Sequence, residues 1–147
     1  MARQMNILLV EDNPLDAMIV ERTISKIAPG TFVERAEDGI EALEVIQSGR
    51  LPDPFMVLLD INMPRMNGHE FLKELRSHSD ASSSIVFMFT TSDSVQDIER
   101  AYAERVNGYI VKRHNKEGMK SVLETLQSYW MTCELPCRPD ERSLNLA

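Results

Sequence analysis

Phe55-Met56-Val57-Leu58-Leu59-Asp60 is an unbroken apolar run closed by an aspartate. Five apolar residues without polar alternation suit a strand covered on both faces, as in a parallel sheet lying between two layers of helices. The aspartate then stands where that strand leaves the sheet. The same pattern recurs outward in both directions. Met5-Asn6-Ile7-Leu8-Leu9-Val10 runs into Glu11-Asp12, Ile85-Val86-Phe87-Met88-Phe89 into Thr90-Thr91-Ser92, and Gly108-Tyr109-Ile110-Val111 into Lys112. Thr31-Phe32-Val33-Glu34-Arg35-Ala36 is a weaker strand, and its charged residues suit a sheet edge.

Amphipathic segments fill the intervals. Asn13 caps a helix that has Pro14 at its first position, continues at helical spacing through Leu15, Met18, Ile19 and Ile27, and stops at Pro29-Gly30. Asp38-Gly39 opens a short helix with Ile40, Leu43 and Ile46 on one face, ended by Ser48-Gly49. Gly68 to His78 turns Phe71, Leu72 and Leu75 inward. Ser94 opens a fourth helix through Val95, Ile98, Ala101 and Tyr102, and the last helix carries Met119, Val122, Leu123, Leu126 and Trp130. Five strands alternating with five helices imply an α/β fold. Right-handed crossovers lead to one doubly wound five-stranded parallel sheet of order 2-1-3-4-5, the flavodoxin-like arrangement. We expect one domain over residues 1–131 and a C-terminal tail over residues 132–147, mobile from Glu134 on, where Pro136 and Pro139 fall.

The 147 residues suit one domain with a real core, and 43% hydrophobic and 27% charged residues are ordinary for a globular protein. A formal charge of −7 disfavours sequence-independent nucleic-acid binding, which draws on clustered Lys and Arg. No apolar run approaches the roughly 18–20 residues that span a bilayer. The N-terminus runs into its first strand without a signal-peptide pattern, so a cytoplasmic location is expected and no membrane partner. Cys133 and Cys137 are read as reduced thiols, and His69, His78 and His114 as surface residues.

In open α/β sheets function gathers beyond the carboxyl ends of the strands. Here those ends carry Glu11 and Asp12, Asp60, Thr90 and Lys112. Three carboxylates brought together repel, and a divalent cation removes the difficulty; an all-oxygen donor set points to Mg²⁺. Asp60 beside that cation is a nucleophile toward phosphorus, with Lys112 and the Thr90 hydroxyl placed to stabilise the product. Each residue alone has a plainer reading. Asp60 would be a turn former, Glu11-Asp12 a helix cap, Thr90-Thr91-Ser92 a polar loop and Lys112 a solvated lysine. The joint pattern at four strand ends carries the chemistry.

Leu8-Leu9-Val10-Glu11-Asp12-Asn13, Leu58-Leu59-Asp60-Ile61-Asn62-Met63-Pro64 with Gly68, Phe89-Thr90-Thr91-Ser92 and Gly108-Tyr109-Ile110-Val111-Lys112 together resemble the response-regulator receiver family, over residues 5 to about 131. The resemblance implies a phosphoacceptor, not a conventional enzyme, that takes a phosphoryl group on Asp60 from a histidine kinase. It implies metal binding by Glu11, Asp12, Asp60 and the backbone carbonyl of Asn62, a switch formed by Thr90 and Tyr109, and Lys112 as phosphate partner. Thr90-Thr91-Ser92-Asp93 and Tyr129-Trp130-Met131-Thr132-Cys133-Glu134-Leu135-Pro136 are further similar to stand-alone regulators paired with phytochrome-type kinases. The receiver resemblance implies a homodimer or a kinase contact through the fourth helix, fifth strand and fifth helix, with Tyr102, Tyr109, Tyr129 and Trp130 on the face, and the phytochrome-partner likeness favours the homodimer. Output would then be a change of protein contacts.

Two positions depart from the family. Lys112-Arg113 stands where Lys-Pro with a cis bond is usual, and a cis bond before a non-proline costs roughly 2.5–4 kcal/mol. Thr91 brings a methyl group to the mouth of the site. The competing classes fit less well. A haloacid-dehalogenase-type phosphatase would have Asp where Asn62 stands. A flavodoxin-like electron carrier would set a phosphate-binding loop where Glu11-Asp12 would repel it. A degenerate, phosphorylation-independent receiver would not keep the complete acid set.

Overall fold

The alternation of side chains along each strand explains why five apolar runs make one buried layer. In the computed structural model, which describes residues 3–77 and 80–137, the strands are β1 (Asn6–Val10), β2 (Phe32–Ala36), β3 (Met56–Leu59), β4 (Ile85–Thr90) and β5 (Gly108–Val111). They form a single parallel sheet in the order β2-β1-β3-β4-β5, as expected. The helices are α1 (Pro14–Ile27), α2 (Gly39–Ser48), α3 (Gly68–Ser77), α4 (Val95–Ala103) and α5 (Lys116–Thr132). Register is in phase across the centre, with Leu9 opposite Leu58 and Leu58 opposite Phe87.

Successive residues face opposite sides. Leu8, Val10, Val57, Leu59, Val86 and Met88 pack with α2, α3 and Ala101 of α4. Ile7, Leu9, Met56, Leu58, Ile85, Phe87 and Phe89 pack with α1 and α5. β2 sits at an edge and is only half-buried, as its charged residues foretell. Asn13, Asp38, Ser94 and Asn115 each cap a helix by accepting backbone N–H groups with the side chain.

Two expectations change. Trp130 is not a surface aromatic. It is fully buried, because Met119, Leu123, Leu126 and Trp130 form one stripe of α5 against the sheet. Of the expected tail, Leu135 packs on that same cluster; residues 138–147 lie outside the described residues. His69 is buried, 3% exposed, while His114 is exposed as expected and His78 lies outside the described residues.

Two arginines tie the periphery together, one of them buried. Arg76 follows Leu72 by four positions, so it falls on the inward face of α3. Its guanidinium donates to the carbonyls of Ser84 (2.6 Å), Arg105 (2.7 Å), Ser82 (3.0 Å) and Glu104 (3.4 Å), and to Asn107 Oδ1 (3.4 Å). One side chain thereby joins the end of α3, the entry to β4 and the α4–β5 turn. Ahead of β1, Arg3 donates to the carbonyls of Trp130 and Cys133, both at 2.6 Å, and so closes the C-terminus of α5.

Arg76→Ala leaves several carbonyls buried and unpaired, and should cost about 2–4 kcal/mol. Arg76→Lys should recover less than half of that, because an ammonium lacks the planar fork. Urea denaturation, read as a change in midpoint at constant slope, measures both.

Candidate functional site

Asp60 is placed by backbone geometry first. Its N–H donates to the Val10 carbonyl (3.0 Å), which extends the sheet ladder one residue past β3. Its Oδ1 accepts the Ile61 N–H at 2.8 Å. The loop then folds back, and Gly68 donates to the Ile61 carbonyl at 2.9 Å. A Cβ on Gly68 would lie 2.3 Å from the Asp60 carbonyl oxygen, so only glycine permits this approach. Arg65, with φ +62°, turns the loop toward α2, where its Nε meets Asp38 Oδ2 at 2.7 Å. Burial would raise the Asp38 carboxyl, but the Glu41 N–H and Arg65 outweigh it and hold the group below its ordinary value.

Glu11, Asp12 and Asp60 meet at the ends of β1 and β3. Each offers a carboxylate oxygen, and those oxygens all lie within 4.8 Å of one another. Glu11 and Asp60 are buried and Asp12 is exposed, so the cluster opens on one side. Three hard oxygen donors with open positions fit a divalent cation that keeps some of its waters. Arg35 of β2 holds the loop from behind, donating to the carbonyls of Glu11 (3.1 Å) and Asp12 (3.3 Å).

Lys112 enters from β5. Its N–H donates to the Thr90 carbonyl at 2.7 Å. Asp53-Pro54 is the cis peptide bond among the described residues, so Lys112-Arg113 is trans. The Lys112 ammonium contacts Glu11 Oε1 at 2.5 Å, Asp16 Oδ2 at 2.9 Å and Asp60 Oδ2 at 3.4 Å. It also lies 5.8 Å from the centre of the Phe89 ring. Burial alone would lower its pKa, but Glu11, Asp16 and Asp60 together push it up to about 12. At Glu11 the balance is reversed. Burial, with the Asp60 charge added, outweighs Lys112 and raises the carboxyl to about 7.

Thr90 is fully buried, and among the described residues its hydroxyl has only a long contact, 3.5 Å from the Ser92 N–H. The half-buried Tyr109 donates its hydroxyl to the Ser92 carbonyl at 2.8 Å. Burial and the charges of Asp97, Asp93 and Asp60 raise that hydroxyl above its ordinary value. Thr91 and the Asn62 side chain are exposed. Glu11, Asp12, Asp60, Thr90 and Lys112 thus converge, with Tyr109 joined through Ser92. Sequence reasoning missed Asp16, Arg35 and His69. Asp16 precedes Val20 by four residues on the buried stripe of α1, and His69 precedes Leu72 by three on α3. A charged or polar group on an apolar stripe was the available signal. Arg35, on a half-buried edge strand, carried none.

Comparison with known proteins agrees with this geometry. Residues 7–124 match the response regulator receiver domain. The chain is 35% identical over 128 residues to the probable methanogenesis regulatory protein FilR2 of Methanothrix harundinacea, covering 85% of this chain and 83% of that one. It is 30% identical over 135 residues to the response regulator Rcp1 of Synechocystis, covering 88% and 92%. The Mn²⁺-bound form of Rcp1 superposes with a TM-score of 0.79 at 29% identity, over 89% of this chain and 98% of that one. The phosphorylated cyanobacterial phytochrome response regulator RcpA superposes with a TM-score of 0.82 at 28% identity, over 91% and 99%. No helix among the described residues is long and apolar enough to cross a membrane.

The Glu11 carboxyl sets a pH dependence. Its folded value of about 7 lies above the ordinary 4.5, so between the two the folded state binds more protons than the unfolded one. Stability in EDTA should therefore fall as pH rises from about 4.5 through 7. Added Mg²⁺ or Mn²⁺ should flatten that decline, because the cation replaces the proton as counter-charge, and Asp12→Ala should lose most of the flattening. Urea titrations across this range measure the slope. A stability that rises with pH in EDTA would contradict the assignment.

Proposed function

The chain belongs to the response-regulator receiver family, and from that premise we propose that it accepts a phosphoryl group on Asp60 from a phosphohistidine of a sensor kinase, with Mg²⁺ as cofactor. A carboxylate oxygen of Asp60 attacks phosphorus, the P–N bond breaks, and the imidazole leaves with the electron pair and takes up a proton. Glu11, Asp12, Asp60 and the Asn62 carbonyl would hold Mg²⁺, which when bound supplies positive charge for the phosphoryl oxygens. The observation that carries the reading is Lys112. Its ammonium is shared among three carboxylates and stands 3.4 Å from Asp60 Oδ2, within a small rotation of a phosphoryl group on that oxygen.

The Thr90 hydroxyl has no strong partner to lose, which leaves it available to a phosphoryl oxygen. Its inward movement would open space for Tyr109 behind β4 and so alter the face formed by α4, β5 and α5. Asn62 stands where an acid would assist hydrolysis and cannot transfer protons, in keeping with slow self-dephosphorylation rather than enzymatic turnover. The receiver unit spans residues 1–131 in this reading and residues 132–147 are its tail.

The kinase partner is of the phytochrome type in this reading, supported by the likeness to RcpA. The protein works in the cytoplasm and signals by changing protein contacts rather than by binding nucleic acid or membrane. The α4–β5–α5 face supports a homodimer with Val95 (62% exposed), Tyr102 (51%), Val111 and Met131 as apolar contacts; Trp130, being buried, takes no part.

Asp60→Asn should abolish phosphorylation by acetyl phosphate with Mg²⁺, because an amide is a poor nucleophile. Intact mass is the readout, and a stable gain of one phosphoryl group at the wild-type rate would refute the site. Sedimentation with and without beryllofluoride tests the dimer. The expected result is a shift toward dimer on activation. A strict monomer in both states up to high concentration would leave only exchange between different partners.

A further inference from the structure

α4 is held to the body of the protein by few apolar contacts. Ala101 is its only fully buried residue, while Val95 and Tyr102 face solvent. Its position therefore depends on polar ties, and the best formed of these runs through Asp97. One carboxylate oxygen, Oδ1, lies 3.0 Å from His69 Nε2 on α3. The other, Oδ2, accepts the Ser92 hydroxyl at 2.5 Å. The carbonyl of that same Ser92 receives the Tyr109 hydroxyl. Ser94 closes the loop, with its Oγ capping Asp97 N–H at 3.1 Å and its own N–H on Ser92 Oγ at 3.3 Å.

His69 occupies an unusual place in this chain of contacts. It follows Gly68, which packs on the Asp60 carbonyl, so the ring is anchored to the loop that carries Asp60. The side chain is buried, yet Nδ1 has no partner among the described residues. A leucine would fill comparable space without burying an unpaired nitrogen. What imidazole adds is one N–H directed at Asp97. The arrangement that orphans no N–H is the neutral ring with its proton on Nε2, donating to Oδ1.

We propose that His69 is a positioning residue for the switch: through Asp97 and Ser92 it holds the carbonyl that captures the Tyr109 hydroxyl, and so biases the Tyr109 ring inward before any phosphoryl group arrives. The proposal rests on the reading of Tyr109 as a switch, and it extends the path from β4 and β5 to α3. The inward ring is stabilised from two sides, by Thr90 when the site is phosphorylated and by His69 in either state. The Asp97 carboxylate acts only as an acceptor. It transmits position from α3 to the loop after β4, because both of its oxygens are engaged at once.

The test is fluorine NMR on protein labelled with fluorotyrosine, with the Tyr109 resonance assigned by Tyr109→Phe. In untreated His69→Leu the outward population of Tyr109 should rise by about five-fold, the size of effect that one hydrogen bond of ordinary net strength supplies. His69→Gln, whose amide can still donate to Asp97, should restore most of the wild-type spectrum. A role limited to filling space predicts the opposite order, with Leu better tolerated than Gln. Asp97→Asn, which keeps one acceptor and loses the charge, should give the same shift as His69→Leu, and it decides the question if His69→Leu fails to fold. Adding Asp97→Asn to His69→Leu should change little more. A Tyr109 resonance that is unchanged in folded His69→Leu and in Asp97→Asn would overturn the proposal. The two readings separate cleanly. If beryllofluoride leaves wild-type Tyr109 unmoved while His69→Leu moves it, the switch reading fails and the coupling stands.

Discussion

Four carboxylates crowd around one buried ammonium at the carboxyl end of the sheet, and the rest of the structure answers to that charge imbalance. Glu11, Asp16 and Asp60 all contact Lys112, and Asp12 stands beside them in solvent. Parallel strands bring the groups together because β1, β3, β4 and β5 end side by side. Burial removes the water that would screen their repulsion. The Glu11 carboxyl is displaced from its ordinary range for that reason. A site of this kind is less stable than an apolar packing of the same volume, and it gains from any added positive charge. A divalent cation and the proposed phosphoryl group would therefore alter the same local balance, in opposite directions.

Such a site needs a rigid surround, and arginines supply much of it. Arg35 fixes the backbone of the Glu11-Asp12 loop, Arg65 fastens the loop after Asp60 to α2, and Arg76 joins three chain segments at the opposite end of the sheet. In Arg35, Arg76 and Arg3 the partners are mainly backbone carbonyls. A planar guanidinium with several donors suits that task, and carbonyls at loop ends would otherwise lie unpaired. The two-sided apolar core then leaves little freedom to β1, β3 and β4. The elements able to move are those outside it, above all α4 with its single buried residue.

The contrast between a rigid sheet and a lightly held α4 links the site to a surface. Thr90 and Lys112 belong to neighbouring strands whose backbones are hydrogen-bonded through the Thr90 carbonyl. Tyr109 and Asp97 both attach to Ser92, two residues beyond Thr90. In the proposed reading, a change in charge at Asp60 would reach a loop whose other contacts hold α4. The polar chain from Tyr109 through Ser92 and Asp97 to His69 ties that helix to both β5 and α3.

The fold was legible in the sequence because its signals are local and periodic. Burial on both faces demands unbroken apolar runs, so β1, β3 and β4 announced themselves, and the weaker β2 was placed at an edge for the same reason. The acid, hydroxyl and amine at the strand ends were legible too, since the topology follows from the alternation of elements and brings those ends together. What the residues around them do was decided only in three dimensions. Lys112 meets Glu11 and Asp16 across 101 and 96 positions of sequence, and no periodicity encodes which acid a flexible ammonium will choose. His69 and Trp130 were expected at the surface and are buried, because the rotation of α3 and α5 against the sheet sets which stripe faces inward. Arg76 and Arg35 gained their roles from carbonyls that distant turns left unpaired. Local sequence determines where chain is apolar and where it bends; the partner of a buried polar group is settled by whatever the packed chain brings within about 3 Å of it.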